Sequence, residues 1–125
     1  MQAGNWQTVS SPAELDAAFA AAQNAGKPLL LDWYADWCIS CKVIEREVLG
    51  AAQVASQLDA YRLVRFDITA STAEQRALLD RYQLFGPPAI LLFDAKGQEW
   101  QDLRVVGEID APAFAARLDR ASERR

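Results

Sequence analysis

Pro28-Leu29-Leu30-Leu31-Asp32-Trp33-Tyr34-Ala35-Asp36-Trp37-Cys38-Ile39-Ser40-Cys41-Lys42 joins two kinds of sequence. Pro28 to Tyr34 is a short apolar run containing aromatics, the pattern of a strand covered on both faces. From Cys38 to Leu49, the side chains of Ile39, Val43, Ile44, Val48 and Leu49 recur near helical spacing. A C-x-x-C therefore stands where a strand passes into a helix.

Unpaired backbone N–H groups at a helix start stabilise a thiolate, and a cysteine one turn further in is close enough to attack a mixed disulfide made by the first. Cys38 is thus the candidate nucleophile and Cys41 the candidate resolving thiol. Three plainer readings compete. A structural staple of this span restricts the unfolded chain by only about 2 kcal/mol. Zinc or an iron–sulfur cluster normally takes four ligands, whereas the chain has two cysteines and no histidine. Inert buried thiols have no need of a helix start.

Outward from this junction, strands and helices alternate. Ser11-Pro12-Ala13-Glu14 reads as a helix start, with a stop at Gly26. Gly50 predicts a kink or break before a helical stretch from Ala51 to Ala60, and Leu63, Val64, Phe66 and Ile68 predict a second strand. Parallel strands joined by a helix form a βαβ unit. Ser71-Thr72-Ala73-Glu74 reads as a capping box opening a helix to about Tyr82. After the break at Phe85-Gly86-Pro87-Pro88, Ala89 to Phe93 and Trp100 to Val106 flank a turn and predict a hairpin. Asp110 and Pro112 start a last amphipathic helix carrying Phe114 and Leu118. The predicted fold class is α/β, a three-layer α/β/α sandwich around a central mixed sheet.

Composition narrows the function. The 125 residues, 51% hydrophobic and 24% charged, suit one domain with a core. A formal charge of −4 argues against nucleic acid as a partner. The longest apolar runs fall short of the roughly 18 residues that span a bilayer, so no direct membrane insertion of this chain is expected. Met1 to Ser10 lacks the pattern of a signal peptide. Without histidine there is no Ser-His or Cys-His couple.

Trp37-Cys38-Ile39-Ser40-Cys41-Lys42 behind an apolar strand, with Gly86-Pro87-Pro88 ahead of another, resembles the thioredoxin superfamily over nearly the whole chain. Tyr34-Ala35-Asp36-Trp37-Cys38-x-x-Cys41-Lys42, with Phe93-Asp94 and Val106-Gly107, is similar to the C-terminal periplasmic domain of the DsbD thiol:disulfide interchange proteins. The resemblance implies one thioredoxin-like domain over residues 1–125, a piece of a larger membrane protein; the chain ends at 1–10 and 121–125 are expected to be flexible. It implies a monomer in the periplasm with no cofactor beyond its Cys38/Cys41 disulfide. Two electrons would pass through transient mixed disulfides from the DsbD transmembrane domain to the DsbD N-terminal domain. A free-standing soluble thioredoxin and a non-catalytic binding module of the same fold are the alternatives.

The resemblance also assigns residues. Pro88 matches the family's cis-proline, beside which an incoming chain pairs. Pro87 before it has no N–H to offer, which removes about 1 kcal/mol of main-chain bonding. Asp32 matches a buried acid beneath the cysteines and Glu45 a second acid, both raising the thiol pKa, with Asp32 also a candidate general base for Cys41. A carboxylate at about 6 Å costs a thiolate about 3 kcal/mol at an effective dielectric of 20, against about 1 kcal/mol gained from the helix start. If both acids are ionised and near, Cys38 stays mostly a thiol at neutral pH. Trp37 and Phe85 are candidates for an apolar docking rim, Asp36 for a surface charge selecting partners, and Lys42 for favouring the thiolate. Trp6, Trp33 and Trp100 are expected in or near the core.

Overall fold

A computed structural model describes residues 5–125. In chain order, β1 (Trp6–Val9), α1 (Pro12–Ala25), β2 (Leu29–Tyr34), α2 (Ile39–Ile44), a π-helical turn (Glu45–Leu49) and α3 (Ala52–Leu58) precede β3 (Arg62–Asp67). Then follow α4 (Ala73–Arg81), β4 (Ala89–Phe93), a 3-10 turn (Gln101–Leu103), β5 (Val105–Val106) and α5 (Ala111–Ser122). The five strands lie in the order β1-β3-β2-β4-β5. β1 and β2 run parallel to β3, while β4 is antiparallel to β2 and to β5, giving a mixed sheet.

Strand alternation divides the core in two. Leu29, Leu31 and Trp33 of β2 pack with Val64, Phe66, Leu91 and the inner faces of α1 and α4. Leu30 packs on the opposite side with Leu63, Ile90, Leu92, Ile44, Val54 and Phe114, beneath α2, α3 and α5. Every residue of β2 is buried, Asp32 included, which explains the otherwise apolar run. Burying each Leu, Ile or Phe contributes about 1.5–3 kcal/mol. By the same alternation Asp32 and Arg65 lie on the α2 side of the sheet, where Cα register pairs them directly.

Local signals explain the helix ends. The Ser11 hydroxyl accepts the Glu14 N–H at 3.2 Å, and Gly26 closes α1 in the left-handed region at φ 66°. Asp110 caps α5 through the Ala113 N–H at 2.9 Å. At Gly50, between the π turn and α3, an added Cβ would stand 2.8 Å from the Arg46 carbonyl oxygen, so any other residue there requires the turn to shift.

Several elements depart from the sequence expectation. Within the expected flexible end, residues 1–4 lie outside the described residues, but Trp6–Val9 forms an edge strand in register with Leu63 to Phe66 and buries Val9. At the other end, α5 runs to Ser122, Ala121 is fully buried, and Arg124 forks onto the Asp102 carboxylate at 2.8 and 2.6 Å. The cap of α4 is Thr72, paired with Gln75, one residue later than expected, and Ser71 lies outside the helix at φ 50°. Both frames fit a capping box. Gln75 decides because its buried amide also donates to the Ser10 carbonyl at 2.9 Å and the Asp67 carbonyl at 3.3 Å. The second arm of the hairpin is largely not strand. Only Val105–Val106 continues the sheet, because the 3-10 turn swings Leu103 into the core while Arg104 pairs with Glu99.

Candidate active site

The C-terminal end of β2, the middle strand of the sheet, delivers the chain to the C-x-x-C. Cys38 is the cap residue of α2, and its Sγ accepts the Cys41 N–H at 3.2 Å. The two cysteines are joined as a disulfide with a Cα–Cα separation of 5.3 Å. Cys38 is 7% exposed and Cys41 3%, so the leading sulfur is the more accessible and its mate is tucked behind, 3.7 Å from the Trp33 carbonyl. An N–H aimed at Cys38 Sγ stabilises charge there when the bond opens.

Asp32 lies under this helix, 3% exposed. Burial pushes its carboxyl well above the usual carboxylate range; the Glu45 carboxylate adds to the rise and the Arg65 guanidinium opposes it. Such a carboxyl holds its proton to higher pH, which suits proton exchange with a thiol.

Glu45 follows Cys41 by one helical turn, and its N–H donates to the Cys41 carbonyl. Its side chain, however, is not a lone charge. Glu45 Oε1 lies 2.6 Å from Arg65 Nη1, with both side chains largely buried, and the guanidinium carbon sits 3.4 Å from the Tyr34 ring centroid. The expected arithmetic of two carboxylates against one helix start therefore omitted a cation. A signal for Arg65 was present in the sequence: a charged residue between Val64 and Phe66, in the middle of an apolar strand, needs a buried partner.

Large apolar side chains stand exposed, among them Trp37 and Ile39, the chain neighbours of Cys38 on either side. Trp37 is 59% exposed, Ile39 79%, Phe85 fully and Val106 65%. The Trp37 indole N–H donates to the Thr69 carbonyl at 3.2 Å, which fixes the ring at the rim instead of in the core. Trp33 is fully buried, and Trp6 and Trp100 are half-buried. The Pro87–Pro88 bond is cis, and the Pro88 carbonyl accepts the Gly107 N–H at 3.0 Å, joining the start of β4 to the segment after β5.

Two further contacts were not foreseen. Lys42 Nζ donates to the Tyr34 hydroxyl at 3.2 Å, and that hydroxyl donates to the exposed Asp36 carboxylate at 2.9 Å. Ser40, between the cysteines, donates to Glu108 Oε2 at 2.6 Å. Among the described residues no cluster of three His, Cys, Asp or Glu side chains is placed to hold a metal ion. No helix there is long and apolar enough to cross a membrane.

Residues 6–95 match the profile of a family described as Thioredoxin-like. Thiol:disulfide interchange protein DsbD 1 of Pseudomonas aeruginosa is 66% identical over 122 residues, covering 98% of this chain and 21% of that protein. DsbD of Ralstonia nicotianae is 47% identical over 116 residues, 93% of this chain and 19% of that protein. The chain thus spans about a fifth of the length of these curated relatives. The oxidised C-terminal domain of Neisseria meningitidis DsbD superposes with a TM-score of 0.79 at 34% identity, covering 95% of this chain and 100% of that one. A thioredoxin from Thermus thermophilus shares the fold, with a TM-score of 0.72 at 23% identity over 94% of this chain and 86% of that one.

Proposed function

Because this chain belongs to the thioredoxin-like family and, within it, to the DsbD C-terminal domains, we propose that it is a thiol:disulfide oxidoreductase carrying two electrons through Cys38 and Cys41. The observation that carries this reading is the Cys38–Cys41 pair closed at the tip of α2, with a backbone N–H on the leading sulfur and exposed Trp37 and Ile39 flanking it in the chain.

In the donating direction both cysteines start reduced. The Cys38 thiolate attacks one sulfur of a partner disulfide, an intermolecular S–S bond forms, and the partner's other sulfur leaves as a thiolate and takes a proton. Asp32 accepts the Cys41 proton. Cys41 then attacks Cys38 Sγ, closing the internal disulfide and releasing the partner's second thiol. Two electrons and two protons have moved, this chain is oxidised, and the partner disulfide is reduced. Trp37, Phe85, Pro87 and Pro88 form the surface on which the partner chain lies, with the bonding lost at Pro87 replaced by contacts on the exposed aromatics.

The relatives' names support a place in a DsbD-type relay. There this domain, on the periplasmic side, takes electrons from the transmembrane domain and delivers them to the N-terminal domain. One chain carries both cysteines, so a monomer suffices.

The test uses the reduced chain with a DsbD N-terminal domain in its disulfide form. Cys38→Ser abolishes transfer, and Cys41→Ser traps a covalent complex that dithiothreitol releases. If neither change has an effect, the electron-carrier reading fails. If a soluble thioredoxin reductase recharges the chain and a DsbD transmembrane domain does not, the relay placement fails while the chemistry stands.

A further inference from the structure

Arg65 takes no part in the exchange steps, yet it is a buried guanidinium placed beneath the cysteine helix. It stands opposite Asp32 in the β2–β3 register, packs on the Tyr34 ring at 3.4 Å, and holds Glu45 at 2.6 Å. Its side chain is 13% exposed and that of Glu45 14%. The ion pair therefore lies out of bulk water, where charge is poorly screened. Glu45 in turn is tied through its N–H to the Cys41 carbonyl, so the pair is one helical turn from the resolving cysteine.

We propose that Arg65 is a positioning residue that holds Glu45 in an ion pair and thereby cancels that carboxylate's repulsion of the Cys38 thiolate, leaving Asp32 as the acid to which the thiol responds. A lone carboxylate acts on a thiolate with the full Coulomb interaction, whereas a carboxylate closed on a guanidinium presents opposed charges whose fields largely cancel at the sulfur. The inference rests on Cys38 being the nucleophile.

The other charged groups on the surrounding elements have their own partners. Lys42 on α2 and Asp36 ahead of it meet at the Tyr34 hydroxyl, and Asp67 on β3 accepts from Thr69. Glu108 after β5 accepts from Ser40, and on the π turn Arg46 pairs with Glu47 at the surface. On α5, Arg117 donates to the Leu103 and Arg104 carbonyls. These groups stay constant in the comparison below, so differences report the Glu45–Arg65 pair.

The experiment measures the iodoacetamide alkylation rate of the reduced chain against pH, with the modified sulfur located by mass spectrometry. Arg65→Gln raises the Cys38 midpoint by about one pH unit, a roughly tenfold loss of thiolate at fixed pH, and Glu45→Gln lowers it. The double variant Arg65→Gln/Glu45→Gln returns the thiolate fraction to within about twofold of the parent, since it removes a neutral pair. Arg65→Lys keeps the parent midpoint.

A double variant that titrates like Glu45→Gln alone overturns the proposal, as does an Arg65→Gln midpoint equal to the parent's. Should Arg65→Gln leave a lone buried carboxylate and fail to fold, the double variant against Glu45→Gln carries the same test. Failure of the oxidoreductase reading would show separately, as loss of electron transfer or alkylation at Cys41 instead of Cys38.

Discussion

The Ser40 hydroxyl donates to the Glu108 carboxylate at 2.6 Å, so the turn between the two cysteines is tied to the segment that follows β5. Gly107, next to Glu108, is itself bonded to the Pro88 carbonyl at 3.0 Å. The C-x-x-C, the cis-proline and the segment after β5 are therefore held together by two hydrogen bonds in series. A bond to a charged acceptor contributes about 1.5–3 kcal/mol when shielded and less at an exposed site. Ser40→Ala and Glu108→Gln are each expected to lower the stability of the oxidised chain by about 1 kcal/mol in a denaturant titration. The double variant loses no more than the worse single one. Strictly additive losses would show that the two side chains act independently.

Asp32 makes stability depend on pH. Its folded pKa lies above the unfolded value of about 4, so in the window between them the native state binds more protons than the unfolded state, and stability falls with rising pH. The contribution is fully present below about pH 4 and is lost as pH rises through the raised folded value. Asp32→Asn keeps the shape and cannot ionise. Its thermal midpoint is expected to equal the parent's in acid, to exceed it in mild alkali, and to vary less with pH between them. The same change removes a negative charge beneath the thiol, so the Cys38 alkylation midpoint moves down. An unchanged pH slope would place the titration on another group.

Phe85 is fully exposed, so it contributes little to the fold and its large ring is free to meet a partner. Phe85→Ala is expected to change unfolding free energy by less than about 0.5 kcal/mol. Reduction of a protein disulfide slows by about 5- to 30-fold, the range of an aromatic hot spot worth about 1–2 kcal/mol. Reduction of a small disulfide such as oxidised glutathione stays at the parent rate, because no docking surface is involved. Equal loss on both substrates would place Phe85 in the chemistry instead of at the rim.

How far the sequence could be read follows from the range of the interactions involved. The start of α1 at Ser11, its end at Gly26, the cap at Asp110 and the unbroken burial of β2 depend on neighbours in the chain, and local patterns report them. Cys38 and Cys41 were legible for the same reason, since the helix start and the spacing are both local. The cap of α4 was not, because Ser71 and Thr72 offer equivalent frames and the choice falls to bonds from Gln75 to Ser10 and Asp67. β1 carries too few residues to show a period and is held by pairing with β3. Glu45 was visible as an acid, but its ion-pair partner Arg65 stands twenty residues away in sequence, on the neighbouring strand.

Gly50 separates two opposing effects of one substitution. At φ −88° and ψ −4° its backbone is open to any L-residue, and replacing glycine by alanine at such a site usually stabilises by about 0.4–1 kcal/mol through the unfolded chain. Here the new methyl would meet the Arg46 carbonyl oxygen at 2.8 Å and the Glu45 carbonyl oxygen at 3.2 Å. Both atoms are backbone of the π turn and cannot swing aside as a flexible side chain would. Overpacking of this kind costs about 1–3 kcal/mol, so the clash outweighs the entropic gain. Gly50→Ala is expected to destabilise the chain by about 1–2 kcal/mol in a urea titration. The turn it disturbs also carries Glu45, so relief of the clash by movement of that turn shifts the Cys38 alkylation midpoint as well. A stabilised Gly50→Ala variant would mean that the turn yields freely and does not hold Glu45 in place.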